Sequence, residues 1–97
     1  MATYALLTRL TPEAVKSPPA LRTLEKEVSE RVRRECPTVR WLSSFAVLGP
    51  VDYLDLFEAP DAETAARVVM ILRSFGHAKT ETWTLIPWER FETLIPK

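Results

Sequence analysis

Four polar residues of this sequence have side chains that could recognise a small molecule: Arg9, Asp52, Tyr53 and His77. A guanidinium such as that of Arg9 binds a carboxylate through two parallel hydrogen bonds. Asp52 could orient that carboxylate ligand or accept an amine. The alternative is a structural ion pair between Arg9 and Asp52 at the turn around Gly49. The pattern predicts a ligand site or a structural clamp, and it leaves the catalytic residues unknown.

His77 is the only histidine, and a histidine can act as a general base or as an axial ligand to haem. The alternative is a polar loop residue after a helix C-terminus, where its positive charge is mildly favourable. The single cysteine, Cys36, has no metal-binding spacing to a second cysteine or histidine. Asp52 and Asp55 would point to opposite faces of a strand, which argues against paired catalytic carboxylates. The sequence predicts no metal and no cofactor.

The elements that must position these residues are predicted from apolar spacing and turn residues. Runs of apolar and aromatic residues predict strands at 3–10, 38–48, 52–59 and 79–86. An apolar stripe at steps of three and four predicts a helix through Leu21, Leu24, Val28 and Val32. A second helix is predicted between the cap Asp61 and the stop residue Gly76. Pro87 opens a short third helix.

Between the first strand and the first helix, Thr11, Pro12 and Glu13 can start a helical turn, which Ser17 and the two prolines after it would interrupt. The whole order, βαββαβ with a C-terminal helix, is typical of a ferredoxin-like α+β sandwich. Such a fold has a four-stranded antiparallel sheet with two helices on one face. Its first and third strands are central neighbours, which would place Arg9 opposite Asp52, with His77 at the same edge.

The predicted strands carry apolar side chains on both faces, although two helices can cover only one face. Monomers rarely leave a large apolar sheet face exposed. We therefore expect a homodimer that pairs through the sheet and that could assemble further. The residues predicted to form the dimer face are Trp41, Phe45, Phe57 and Trp83.

Composition limits the partners. The 97 residues suit one domain, 1–97, and 13 basic residues balance 13 acidic ones. Zero net charge argues against binding to nucleic acid or to an anionic membrane surface. We find no apolar run as long as a membrane span and no signal-peptide pattern, so we expect a cytoplasmic protein.

Three stretches of the sequence, MATYALLTRLTPE, VLGPVDYLDLFEAPD and KTETWTLIP, resemble the GYD-domain proteins. The motif of that family is Gly-x-Tyr-Asp at the turn into the third strand. Gly49 and Asp52 match it, while Val51 replaces the tyrosine. The resemblance implies the dimeric α/β-barrel superfamily. The chain is also similar to the effector-binding domains of Lrp/AsnC-type regulators, which pair through their sheets.

This resemblance favours a non-enzymatic homo-oligomer that binds a small metabolite, such as an amino acid, at its oligomer interface. The alternative is a cofactor-independent or haem-related monooxygenase of the same superfamily. Such relatives often use asparagine, histidine and tryptophan in an apolar pocket, and this sequence contains no asparagine. A third possibility is an assembly partner without any ligand.

Overall fold

A computed structural model describes residues 1–15 and 18–97 of the chain. Along these residues the elements are β1 (Ala2–Leu10), a 3-10 helix (Pro12–Val15), α1 (Pro18–Glu35), β2 (Arg40–Ala46), β3 (Tyr53–Ala59), α2 (Ala62–Ser74), β4 (Ala78–Leu85) and α3 (Trp88–Leu94). The predicted order of elements is confirmed. The predicted interruption at Ser17 lies outside the described residues. None of the described helices is long and apolar enough to cross a membrane.

The four strands form one antiparallel sheet in the order β2-β3-β1-β4. The central position of β1 and β3 follows from burial, since the two inner strands carry the most buried residues of the sheet. Helices α1 and α2 pack on one face of this sheet, and none of the described helices covers the other face. We call these the helix face and the open face. The ferredoxin-like α+β prediction is confirmed.

The ends of α2 follow from local chemistry. Asp61 caps its first turn, because the Asp61 Oδ1 atom accepts a hydrogen bond from the Thr64 backbone N–H at 2.7 Å. Gly76, just after the last turn, has a φ of 73°, a left-handed conformation that favours glycine. The chain can therefore turn at once from α2 toward His77 and β4.

The core lies between the helices and the helix face. Phe57 on β3 is 0% exposed, and its ring stacks between Tyr4 at 5.4 Å and Trp41 at 5.3 Å between ring centroids. The helices contribute buried side chains at the spacing of one helical face, among them Val28 and Val32. A stack of three aromatic rings thus anchors β1, β2 and β3 to one another.

A β-bulge in β2 changes which face its aromatic residues occupy. Trp41 pairs with Phe57, but the next paired residue is Ser43, opposite Leu56, so Leu42 is the extra residue. Beyond the bulge the alternation is shifted by one residue. Trp41 therefore lies on the helix face, whereas Phe45 lies on the open face opposite Leu54.

The predicted dimer face needs a correction for two of its four residues. Phe57 is buried under the helices and Trp41 stacks on it, so neither lies on the open face. The prediction failed because it continued strict alternation through β2 and took Phe57 to share a face with Phe45. The other two residues do lie on the open face, where Phe45 is 52% and Trp83 is 49% exposed.

Candidate functional site

The predicted pair of Arg9 and Asp52 meets at the expected end of the sheet, but the two side chains bind backbone groups and not each other. The Arg9 Nε atom donates to the Pro50 carbonyl oxygen at 3.0 Å. The Asp52 Oδ2 atom accepts from the Leu10 backbone N–H at 2.7 Å. The ion pairs found among the described residues do not include Arg9 with Asp52. The predicted ion pair is therefore replaced by two separate side-chain ties across the turn.

Asp52, one of the two matching motif residues, joins three segments of the chain. Besides the side-chain bond to Leu10, its backbone N–H donates to the Thr8 carbonyl at 2.8 Å. Its own carbonyl accepts from the Val47 N–H at 2.9 Å. The residue thus holds the end of β1 and the end of β2 at the start of β3. These contacts give Asp52 a structural role that needs no ligand.

Removing the Asp52 carboxylate should weaken the fold measurably. We expect Asp52→Ala to lose about 1–3 kcal/mol of unfolding free energy, because the partly buried Leu10 N–H is left without its acceptor. Asp52→Asn keeps an acceptor oxygen and should stay closer to wild type. Urea unfolding of the three proteins tests this. Equal stability of Asp52→Ala and wild type would show that the carboxylate does not stabilise the turn.

His77 is buried, which its interpretation as a polar loop residue did not anticipate. Its residue surface is only 6% exposed, and its ring meets the edge of Phe75 at 6.4 Å between centroids. The His77 Nε2 atom lies 3.5 Å from Glu25 Oε1 on α1. Its backbone carbonyl accepts from Thr11 N–H at 2.8 Å. His77 is therefore buried beside a half-buried carboxylate, an arrangement that does not favour an open axial ligand to a haem.

Glu25 is the residue that the sequence reasoning missed. It falls four residues after Leu21 and three before Val28, so it belongs to the apolar stripe of α1. A charged residue on the buried stripe of a helix is the signal that could have found it. On α1 the Glu25 side chain is 41% exposed, while its Oε1 atom is buried toward His77.

Asp55 and Tyr53 reach the same region from the sheet. Residues 53, 55 and 57 share one face of β3, as the alternation predicted, and that face is the helix face rather than the dimer face predicted for Phe57. Asp55 pairs with Ser44 on β2, and Tyr53 pairs with Ala46. Of the four predicted site residues, the structure therefore brings Tyr53 and His77 to the surroundings of Glu25. It leaves Arg9 on the open face and Asp52 at the turn.

Between α1 and strands β2 and β3 lies a cleft of about 360 Å³, which we call the α1–sheet cleft. Its polar lining includes Glu25, Ser44 and Asp55, and Trp41 forms an aromatic part of the wall. A more open depression, lined also by Tyr53, continues from the same three polar residues. The two carboxylates thus stand where the inner and the outer parts of the cleft meet.

Burial makes both carboxylates less acidic. It raises the pKa of Glu25 above its ordinary value, and the negative charge of Asp55 adds to this, while His77 opposes it. Burial likewise raises the pKa of Asp55, and hydrogen bonding with Ser44 and Trp41 lowers it only in part. The pKa of Tyr53 is raised by burial and then by the charge of Glu25. The negative charges of Glu25 and Asp55 in the cleft therefore lower the stability of the folded state.

This cost predicts a pH-dependent gain in stability for Asp55→Asn. Because the pKa of Asp55 is raised in the folded protein, its neutral form stabilises the fold below the ordinary value of 3.8. That contribution is lost as the pH rises through the raised pKa. We expect Asp55→Asn to match wild type in acid and to exceed its unfolding free energy increasingly toward pH 7, in urea unfolding at several pH values.

Asp61 offers a control of opposite sign. Its hydrogen bonds with Thr64 lower the pKa of Asp61, so its contribution is present above its ordinary value and is lost as the pH falls. Asp61→Asn should therefore lose stability relative to wild type at neutral pH. A gain for both variants, or a loss for both, would contradict the assignment of a destabilising charge to Asp55.

The described residues offer no ready-made metal centre. No group of three His, Cys, Asp or Glu side chains that could hold a metal ion is found within residues 1–15 and 18–97. Cys36 is buried in the core, where burial raises the pKa of its thiol. The chemistry that this arrangement supports is binding by paired carboxylates next to apolar and aromatic side chains.

Comparison with known proteins places the chain among its relatives. It is 38% identical over 91 residues to a Thermus thermophilus protein named glutamine synthetase and cystathionine beta-lyase binding protein, with 90% of each chain covered. A crystal structure of a Thermus thermophilus protein is similar with a TM-score of 0.62 and 22% identity, over 89% of this chain and 94% of that chain. An Arabidopsis thaliana protein is similar with a TM-score of 0.57 and 15% identity, over 90% and 95%.

These two structural similarities show the fold alone. The family assignment comes from the sequence, since the GYD domain profile matches residues 4–95. That match spans both motif residues, Gly49 and Asp52, and every strand from β1 to β4 except the first residues of β1. The chain belongs to the GYD domain family.

Proposed function

We propose that this chain is a non-enzymatic homodimeric binding protein whose partners are glutamine synthetase and cystathionine beta-lyase. These are the two enzymes in the name of the Thermus thermophilus relative, which shares 38% identity across 90% of both chains. We expect the protein to bind these two enzymes in the cytoplasm. The observation that carries the proposal is the apolar surface that the chain leaves uncovered.

That apolar surface has two parts. The first is the open face, where Phe45 and Trp83 are half exposed beside Leu54 and Leu56. A second copy of the chain would cover this face and remove apolar area from water. Pairing of two identical sheets places the same residues on both sides, which is the ordinary geometry of a two-fold dimer.

The second part is α3. All seven residues of Trp88–Leu94 are exposed. Trp88 and Phe91 contact each other at 5.5 Å between ring centroids, and Leu94 follows at the next helical step, so one side of α3 is apolar. An apolar helix side with no cover of its own fits a groove on a partner protein. We assign α3 to the contact with the partner enzyme.

Binding of a small metabolite at the dimer interface stays a prediction that one feature supports. A depression of about 240 Å³ on the open face is lined by Arg9, Lys79 and Glu81 among others. Two cationic side chains there would suit a carboxylate group. Dimerisation through the open face would place this depression at the interface, as the sequence predicts for Arg9.

Binding to purified partner enzymes tests the proposal. Glutamine synthetase and cystathionine beta-lyase from the same organism are immobilised in turn, and binding of the wild-type chain is followed by interferometry. We expect saturable binding at micromolar concentration or below. The double variant Trp88→Ala/Phe91→Ala should weaken it at least about tenfold, since buried aromatic anchors dominate interface energies.

Met70→Ala is the matched control, because Met70 is an apolar residue that is 71% exposed on a different helix, α2. It should bind like wild type. Absence of binding to both enzymes at tens of micromolar would overturn the proposed partners. Binding that survives the α3 variant unchanged would overturn the assignment of α3 to the contact.

A further inference from the structure

We propose that the α1–sheet cleft binds a small organic cation, an amine carrying an apolar chain, with its ammonium group between Glu25 and Asp55. This site is separate from the open face and from α3, so it does not depend on the proposed partner enzymes. Its support comes from the charges, the walls and the size of the cleft.

The cleft concentrates negative charge from two different elements. Glu25 comes from α1 and Asp55 from β3, and both line the inner cleft and its outer depression. Among the described residues, neither carboxylate forms an ion pair with a lysine or an arginine. Arg33 also lines the cleft, but eight residues separate it from Glu25, about 12 Å along the helix. Among the described residues no lysine or arginine therefore neutralises the charge between Glu25 and Asp55, and we assign that role to a ligand.

His77 acts as a positioning residue for this site. Less than a tenth of its surface is exposed, and its Nε2 atom lies 3.5 Å from Glu25 Oε1. Because Oε1 is buried, the Glu25 side chain is 41% exposed and Glu25 lines the cleft, we assign the other oxygen to the cleft side. His77 thus lies beside one oxygen of the carboxylate, which leaves the other oxygen to accept a hydrogen bond from an ammonium group.

The remaining walls fit the apolar part of such a ligand. Val32, Val39 and Leu72 line the cleft together with Trp41. The indole of Trp41 is held in place by stacking on Phe57. A volume of about 360 Å³ lies at the lower end of the range of small-molecule sites, about 300–1,000 Å³. A short alkyl chain would cover the apolar wall and leave its ammonium at the carboxylates.

A metal ion fits this cleft less well. Hard cations such as Ca²⁺ need six or more oxygen ligands, and the described residues contain no set of three side chains suited to a metal. The valine, leucine and tryptophan side chains of the lining could not contribute ligands. The observations therefore favour an organic cation, whose apolar chain uses that part of the wall.

Calorimetric titration with n-hexylamine tests the site directly. We expect saturable one-to-one binding to wild type. Glu25→Gln and Asp55→Asn should each weaken it at least about tenfold, the loss expected when one charge-assisted hydrogen bond is removed. Hexanoic acid, which has the same chain and the opposite charge, should not bind.

Three further variants keep the test decisive. Glu27→Gln removes an equal charge from the exposed surface of α1 and should bind like wild type. Ser29→Trp fills the cleft from an exposed position on α1 without removing a core residue, and it should abolish binding while the fold is retained by circular dichroism. His77→Asn should weaken binding less than Glu25→Gln, since it acts only through Glu25.

The pH gives an independent readout. The titratable groups that face Glu25 are His77 before β4 and Asp55 and Tyr53 on β3. Burial raises the pKa of both Glu25 and Asp55, so acidification neutralises these carboxylates and amine binding should fall as the pH is lowered. Failure of n-hexylamine to bind wild type at millimolar concentration, or binding equally strong in Glu25→Gln and Asp55→Asn, would overturn the proposal.

Discussion

Phe57→Ala should lose about 3–5 kcal/mol of unfolding free energy, the usual cost of removing a buried aromatic side chain. Phe57 is fully buried and stacks between Tyr4 and Trp41, so its loss removes two ring contacts and opens a cavity next to β1 and β2. Domains of this size hold only about 5–15 kcal/mol in total. Urea or thermal unfolding, followed by far-ultraviolet circular dichroism, measures the loss.

Phe91→Ala provides the matched control for this change. The same side chain is removed, but Phe91 lies on the exposed helix α3 and contacts Trp88 within that helix. Exposed substitutions usually change stability by less than about 0.5 kcal/mol. Comparable losses for the two variants would show that the aromatic stack around Phe57 is not the centre of the core.

The second large effect is expected on assembly. If two copies pair through their open faces, lysines at positions 45 and 83 would be buried without partners, at a cost of several kcal/mol each. We expect Phe45→Lys/Trp83→Lys to raise the dimer dissociation constant at least about a hundredfold. Light scattering should then change from twice the chain mass of 11.1 kDa to the single mass.

Met70→Lys is the control for assembly, because it adds one of these charges on the exposed side of α2. It should leave the dimer intact. A wild-type protein that is monomeric at tens of micromolar would overturn pairing through the open face. So would a double variant that dimerises as tightly as wild type.

The order of elements was predictable because it depends on local periodicity and on turn residues. The apolar stripe of α1, which includes Val28 and Val32, depends only on residues close together in the sequence. The same holds for the helix cap at Asp61, so both features can be recognised from the sequence alone. The grouping of residues 53, 55 and 57 on one face of β3 was predictable for the same reason, but not that this face lies under the helices.

The errors came from features with no local signature. The bulge at Leu42 is a backbone irregularity set by pairing with β3, and it puts Trp41 and Phe45 on opposite faces of the sheet. The partners of Arg9 and Asp52 are backbone groups at a turn, which composition does not display. Chain topology brought Arg9 and Asp52 to the right place, but it could not choose between a side-chain partner and a carbonyl.

Only part of the candidate cleft was predictable from the sequence. Tyr53 and His77 were chosen as polar residues near a strand or helix end, and both lie around Glu25. Glu25 was not predicted because α1 contains many other charged residues. Its position on the apolar stripe distinguishes it from them. A charged side chain at a core position indicates a functional site more strongly than a cluster of surface charges does. Burying a charge costs free energy, whereas a surface charge stays solvated.

The bulge in β2 has a consequence for solubility. Strands β2 and β4 are the two edges of the sheet, and an unpaired edge can recruit another strand and start an aggregate. The extra residue at Leu42 twists one edge and breaks the regular row of hydrogen-bonding groups. On the other edge, Lys79 and Glu81 place charges along β4. Lateral growth into a continuous sheet is thereby discouraged at both edges.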